Sequence, residues 1–98
     1  MLERRVARAL VDAARTAGLF IRKCRWEGRV GAPDYIILRG GCAYFVETKA
    51  PGEKPRPSQL AEFAAVEKVG GAPVTIVDSI HAAFAVVRAI TGGGNEKK

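Results

Sequence analysis

The sequence predicts an α/β domain, a mixed β-sheet flanked by helices, with its elements in the order α-β-β-β-α-β-α. Three observations carry this. Apolar residues recur at helical spacing near the start, in the middle and near the end of the chain. Between the first two of these segments lie three strand-like runs, the last two joined by Gly40-Gly41, a two-residue hairpin signal. A fourth short apolar run, residues 74–77, follows the second helix, so a helical crossover should set it parallel to a strand of the preceding meander.

Each element has a local reason. Residues 2–17 place Leu2, Val6, Ala9, Leu10, Ala13 and Ala17 on one helical face and Arg4, Arg5, Arg8 and Arg15 on the other, with Gly18 as the C-cap. Glu3 falls roughly 60° from the centre of the apolar stripe, toward the core side. An acid there is a shoulder residue reaching solvent, a favourable charge at the helix start, or part of a site. Residues 19–26 alternate as a strand, Phe20, Arg22, Cys24 and Trp26 against Ile21, Lys23 and Arg25. A Gly-rich connection, 27–33, leads to strands at 34–39 and 42–49. Residues 50–57 hold three prolines and one glycine and form a loop. Pro57 suits the first position of a helix to about residue 69, with Leu60, Phe63, Ala64 and Glu67 at helical spacing and Gly70-Gly71 ending it. The strand at 74–77 is expected to be buried on both faces. Asp78 or Ser79 then caps a last helix with Ile80, Phe84, Val87 and Ile90 facing inward.

Composition bounds the function. A chain of 98 residues suits one domain with a modest core, expected over residues 1–91, with 92–98 a flexible tail. No apolar run approaches the roughly 20 residues of a membrane span, and the N-terminus lacks the apolar block of a signal peptide, so a cytoplasmic location is expected. Cys24 and Cys42 are too few for a disulfide framework or a zinc cluster and are expected to be buried apolar thiols. A net charge of +6 favours a polyanionic partner.

The hairpin makes a geometric prediction. With Gly40-Gly41 as the loop, Arg39 faces Cys42, and stepping outward Tyr35 faces Val46 and Asp34 faces Glu47. Directly opposed residues share a face, with Cβ atoms about 4.5–5.5 Å apart. Two carboxylates so placed repel, and a divalent cation removes that repulsion; Mg²⁺ accepts one or two carboxylates completed by water and phosphate oxygens. Lys49, two residues beyond Glu47, lies on the same face and brings an ammonium beside the metal. It can hold an attacking water or stabilise charge growing on a phosphate. Two acids and a lysine on one hairpin face make a compact phosphoryl-transfer site, although Glu-x-Lys on a solvated strand is common.

Gly31-Ala32-Pro33-Asp34, followed by Phe45-Val46-Glu47-Thr48-Lys49-Ala50-Pro51-Gly52, resembles the PD-(D/E)XK nuclease motif. More narrowly the chain resembles the stand-alone virus-type replication-repair nuclease (VRR-NUC) domain. The likeness spans nearly the whole chain, with Glu3 in the first helix, Arg29 before the Gly-Ala-Pro-Asp segment, Gln59 opening the second helix, and residues 74–78 after a Gly-Gly. The resemblance implies a restriction-endonuclease-like sheet, Mg²⁺ or Mn²⁺ held by Asp34, Glu47 and the Thr48 carbonyl, and a catalytic Lys49. It implies supporting roles for Glu3 and Gln59, through a metal-bound water or by orienting Lys49. It also implies structure-selective cleavage of branched or duplex DNA, four-way (Holliday) junctions being a candidate, by a homodimer in a bacterial or phage-infected cell. One departure is Arg56, where a serine or threonine cap would be expected before Pro57.

Other residues admit two readings. Lys23, Arg25 and Arg29 suit phosphate binding or a solvated strand edge protected from pairing. Lys54 and Arg56 lie on a loop beside the site and suit DNA contact. Trp26 suits stacking on a base, or the core or a partner interface. His81 has no partner motif and reads as solvated. A catalytically silent or RNA-directed nucleic-acid-binding module on the same fold is the alternative function. The retained acids and lysine argue against silence, and the Gly-x-x-Gly at residues 28–31, which matches a KH-type loop, joins strands rather than helices.

Overall fold

The computed structural model describes residues 2–70 and 72–92, so most of the expected tail lies outside the described residues. The elements are α1 (Leu2–Thr16), β1 (Phe20–Lys23), β2 (Tyr35–Arg39), β3 (Cys42–Thr48), α2 (Pro57–Gly70), β4 (Thr75–Val77) and α3 (Ile80–Thr91), in the expected order. The strands form one sheet in the order β1-β2-β3-β4, antiparallel except for the parallel β3–β4 pair. Gly40 and Gly41 both have positive φ, 59° and 82°, so the turn twists with the strands and fixes the register with Arg39 opposite Cys42. No helix among the described residues is long and apolar enough to cross a membrane.

One face of the sheet carries the core. Val6, Leu10 and Ala14 of α1 pack with Ala83, Val87 and Ile90 of α3 over Ile21, Ile37, Val46 and Val77. Four expectations about faces are corrected. In α1, Ala14 is buried whereas Leu2 and Ala17 are exposed, because Leu2 is the first residue of the helix and Ala17 lies beyond its last turn. Leu19 N donates to Ala14 O and Gly18 N to Arg15 O, a Schellman ending that turns the chain straight into β1. In α3, Ser79 supplies the cap, accepting from Ala82 N at 3.0 Å. Its inward residues include small Ala83, which joins the core shared with α1, while bulky Ile80 and Phe84 turn outward.

The other two corrections concern the opposite face. In α2 the inward residues are Gln59, Glu62, Phe63 and Val66, while Leu60, Ala64 and Glu67 are exposed. A buried glutamine with polar partners sets the rotation of this helix, and apolar periodicity does not register it. Strand β4 is not buried on both faces. It is an edge strand, and Ile76 remains 37% exposed on the face that α2 leaves uncovered.

Strand β1 ends at Lys23, shorter than expected, though Cys24 N still donates to Asp34 O at 2.7 Å. The loop after it is anchored by Trp26, edge-on to Phe45 with centroids 6.3 Å apart. It is anchored again by Gly31, whose φ of 96° and close approach to α2 leave no room for a side chain. A Cβ there would lie 2.9 Å from Ser58 O and 3.1 Å from Glu62 Cβ.

Candidate active site

Strand β3 delivers four consecutive buried residues, Val46 to Lys49, to the end of the sheet. Val46 faces Tyr35 across the hairpin, so Asp34, immediately before β2, comes beside Glu47 and Thr48. The Asp34 carboxylate accepts through Oδ2 from Thr48 N at 3.0 Å and from Thr48 Oγ1 at 2.7 Å. In a strand the N–H and C=O of one residue point the same way, so the Thr48 carbonyl also looks toward Asp34.

Glu47 is 2% exposed. Its Oε2 accepts from Gln59 Nε2 at 2.9 Å and lies 3.2 Å from the Lys49 ammonium. Its Oε1 is buried with no hydrogen-bond partner. Burial pushes the Glu47 carboxyl above the ordinary carboxylate range, the nearby Asp34 charge pushes it further, and Lys49 and Gln59 offset part of the rise. Lys49 Nζ also donates to Gln59 Oε1 at 3.1 Å. That oxygen accepts in addition from Arg56 N at 2.8 Å, the N3 half of a capping box. The Arg56 backbone thus takes the cap position where the family resemblance leads one to expect serine or threonine, and Leu60 N donates to Arg56 O as the first helical bond.

These residues fit a divalent cation. No group of three or more His, Cys, Asp or Glu side chains converges among the described residues, so soft or carboxylate-rich coordination is not what is built. A pair of carboxylates, one with a buried unpartnered oxygen, beside a free-facing carbonyl suits a hard ion that keeps several waters. The unpartnered Glu47 Oε1 is otherwise an unoffset cost of burial.

Glu3 comes to the same place from α1. It lines a cavity of about 300 Å³ with Arg4, Lys23, Asp34, Tyr35 and Thr48. The Tyr35 phenol is held above its usual range, by burial first and then by the charges of Asp34 and Glu3. Arg4 and Tyr35 are site neighbours that sequence reasoning missed. For Tyr35 a signal existed, since the hairpin register sets it against Val46 beside the acid pair.

The remaining basic residues are placed differently. Arg25, Lys54 and Arg56 are exposed. Arg29 donates to Glu62 Oε1 at 3.0 Å and ties the loop to α2, a partner that the sequence did not point to. Trp26 is half-buried, with its indole N–H buried and unpartnered. His81 is exposed. The two cysteines are not the buried pair expected: Cys24 is half-buried, its thiol pushed up by burial and by Asp34, and Cys42 is exposed because it opens β3 at the tip of the hairpin, beyond the packed helices.

No family profile matches the chain. Over 75 residues it is 41% identical to a protein described as "Putative nuclease p44" from Acyrthosiphon pisum secondary endosymbiont phage 1, a match covering 76% of this chain and 80% of that one. A solved structure described as "VRR_NUC domain" is similar with a TM-score of 0.75 and 35% identity, covering 93% of this chain and 95% of that one.

Proposed function

The chain belongs to the VRR-NUC family of nucleases, and from that premise we propose that it is a divalent-metal-dependent, structure-selective DNA endonuclease, with four-way junctions a candidate substrate. The observation that carries this reading is the buried, unpartnered Oε1 of Glu47 beside Asp34. Asp34, Glu47 and the Thr48 carbonyl would hold Mg²⁺ or Mn²⁺. A cation held there supplies Lewis acidity toward a phosphate oxygen and makes water a stronger nucleophile.

The chain's own residues do the rest. Glu47 and Gln59 fix the Lys49 ammonium in one position, where it donates to the attacking water or to the phosphate oxygen on which charge grows. Being prearranged, it does not reorganise during the reaction. Gln59 also keeps Glu47 Oε2 occupied, which leaves Oε1 as the oxygen that would be free to hold a cation. Glu3 lines the same cavity as Asp34, from where it would support the site through a water bound to the cation. Lys23, Arg25, Lys54 and Arg56 contribute a basic surface to the phosphate backbone, and Arg29 joins them while tethered to Glu62. Cutting both strands of a branched substrate calls for two sites, and hence for a homodimer.

The deciding experiment incubates labelled duplex, flap, single-stranded and four-way DNA with the protein in Mg²⁺, Mn²⁺ or chelator. Cleavage in metal, strongest on a branched form, is the expected result. No cleavage of any form in either metal, by folded protein, would overturn the reading.

A further inference from the structure

We propose that Arg4 and Lys23 form a phosphate subsite beside the acid pair, which grips the DNA phosphate adjacent to the one being cut. The proposal rests on the nuclease reading for the chemistry of its neighbours, although the grip itself is a binding property.

The cavity of about 300 Å³ lies between the first turn of α1 and the strand ends that carry Asp34 and Thr48. Arg4 enters it from α1, and Lys23, the last residue of β1, from the sheet. Both are exposed, and neither is within 4.0 Å of a carboxylate among the ion pairs of the described residues. This is notable because Glu3 and Asp34 line the same cavity. Arg29 and Lys49, by contrast, are committed to Glu62 and Glu47.

The lining therefore holds two acids and two bases whose formal charges balance. A divalent cation held at Asp34 would tip the cavity to net positive and leave both bases available to an anion. A guanidinium presents paired N–H donors that match a phosphate, and an ammonium adds a second, more mobile donor. Arg4 also sits in the first turn of a helix, where an anion is favoured by the helix dipole. A strand whose scissile phosphate lies at Asp34 and Glu47 then has its neighbouring phosphate in the cavity, and the DNA path crosses the end of the sheet toward α1.

The test has two arms. In Mg²⁺, in a Lys49→Ala background where cutting does not intrude, binding of a labelled duplex is followed by anisotropy over a salt series. Arg4→Ala should flatten the slope of log affinity on log salt by about one contact, while Arg15→Ala, at the far end of the same helix, keeps the parent slope. In Mg²⁺, the phosphates around the cut position are replaced one at a time by neutral methylphosphonate. One position next to the cut should lose about tenfold in kcat/KM, the size of one charge-assisted hydrogen bond. Arg4→Ala should show that same loss on all-phosphate DNA and no further loss from that substitution, and Arg4→Lys should recover part of it. If Arg4→Ala matches Arg15→Ala in salt slope, or if its loss adds to that of every methylphosphonate position, the subsite is overturned. A parent protein that cuts nothing, but in which Arg4→Ala still flattens the slope, would remove the nuclease reading and leave the subsite standing.

Discussion

Gln59 donates its Nε2 to Glu47 Oε2 at 2.9 Å, so the first turn of α2 is bonded to the active strand rather than merely packed on it. The same amide accepts from Lys49 Nζ and Arg56 N through Oε1. One side chain thereby starts the helix, orients the carboxylate and holds the ammonium. The inward face of α2 therefore mixes Gln59 with Phe63 and Val66, and Leu60 is left exposed.

Gln59→Ala should therefore weaken the fold and the chemistry together. It removes a cap contact and a buried bond to a charged group, each worth about 1 kcal/mol or more. Urea denaturation in chelator should show a loss of about 1–3 kcal/mol. Stability equal to the parent's, with activity lost, would assign Gln59 to the reaction alone.

Lys49→Ala should abolish cleavage, and it should also destabilise. Lys49 is the ion-pair partner of the buried Glu47, and removing one partner strands the other's charge, at a cost on the order of 3 kcal/mol. The double variant Glu47→Gln/Lys49→Met should regain much of that stability while staying inactive. Denaturation midpoints of the single and double variants decide this. A Lys49→Ala protein that cuts at the parent rate would show the motif to be misread.

The raised Glu47 carboxyl contributes to the pH dependence of the metal-free protein. An acid raised on folding holds its proton more tightly in the folded chain. Its favourable contribution is complete below the ordinary glutamate value and is lost as pH rises through the elevated folded value. Tm measured in chelator should therefore fall with rising pH in the parent relative to Glu47→Gln, and Mg²⁺ or Mn²⁺ should narrow the gap at neutral pH by replacing the proton. Parallel Tm profiles for the two proteins, with no response to metal, would contradict both the burial cost and the metal site.

The sequence made the element order and the hairpin register legible because both follow from local chemistry. Gly40-Gly41 demands positive φ at both turn positions, and once the turn is fixed the pairing of Tyr35 with Val46 follows by counting. The count also brings Asp34 beside Glu47, although the Asp34 carboxylate bonds Thr48, the next residue along β3, rather than sharing one face with Glu47 alone. Helix faces were read less well, since each depends on partners distant in the chain. Phe84 is apolar and at helical spacing, yet small Ala83 takes the inward place in the core shared with α1. Ile76 is exposed because β4 ends the sheet, which no local run of residues announces. The cavity neighbours Arg4 and Lys23 lie at the far ends of two consecutive elements, α1 and β1, and only the packed fold brings them together.

The last prediction concerns assembly. Each chain carries one Asp34/Glu47/Lys49 set, whereas resolving a branched DNA requires two cuts. The fold leaves apolar surface for a second copy to bury. Phe20, Leu38 and Ala43 stand opposite one another across three strands on the outer face, with Phe20 44% and Leu38 40% exposed. The exposed side of α1 carries Arg4, Arg5, Arg8 and Arg15, which would repel their own copies across a two-fold axis, so the β1 side of the sheet is the better candidate. Sedimentation at micromolar concentration should give a dimer for the parent and a monomer for Leu38→Lys, which places a charge on that row without entering the core. On a four-way junction the parent should make paired cuts and Leu38→Lys isolated nicks. A parent that sediments as a monomer and nicks one strand at a time would make this enzyme a nickase, with its apolar row serving some other contact.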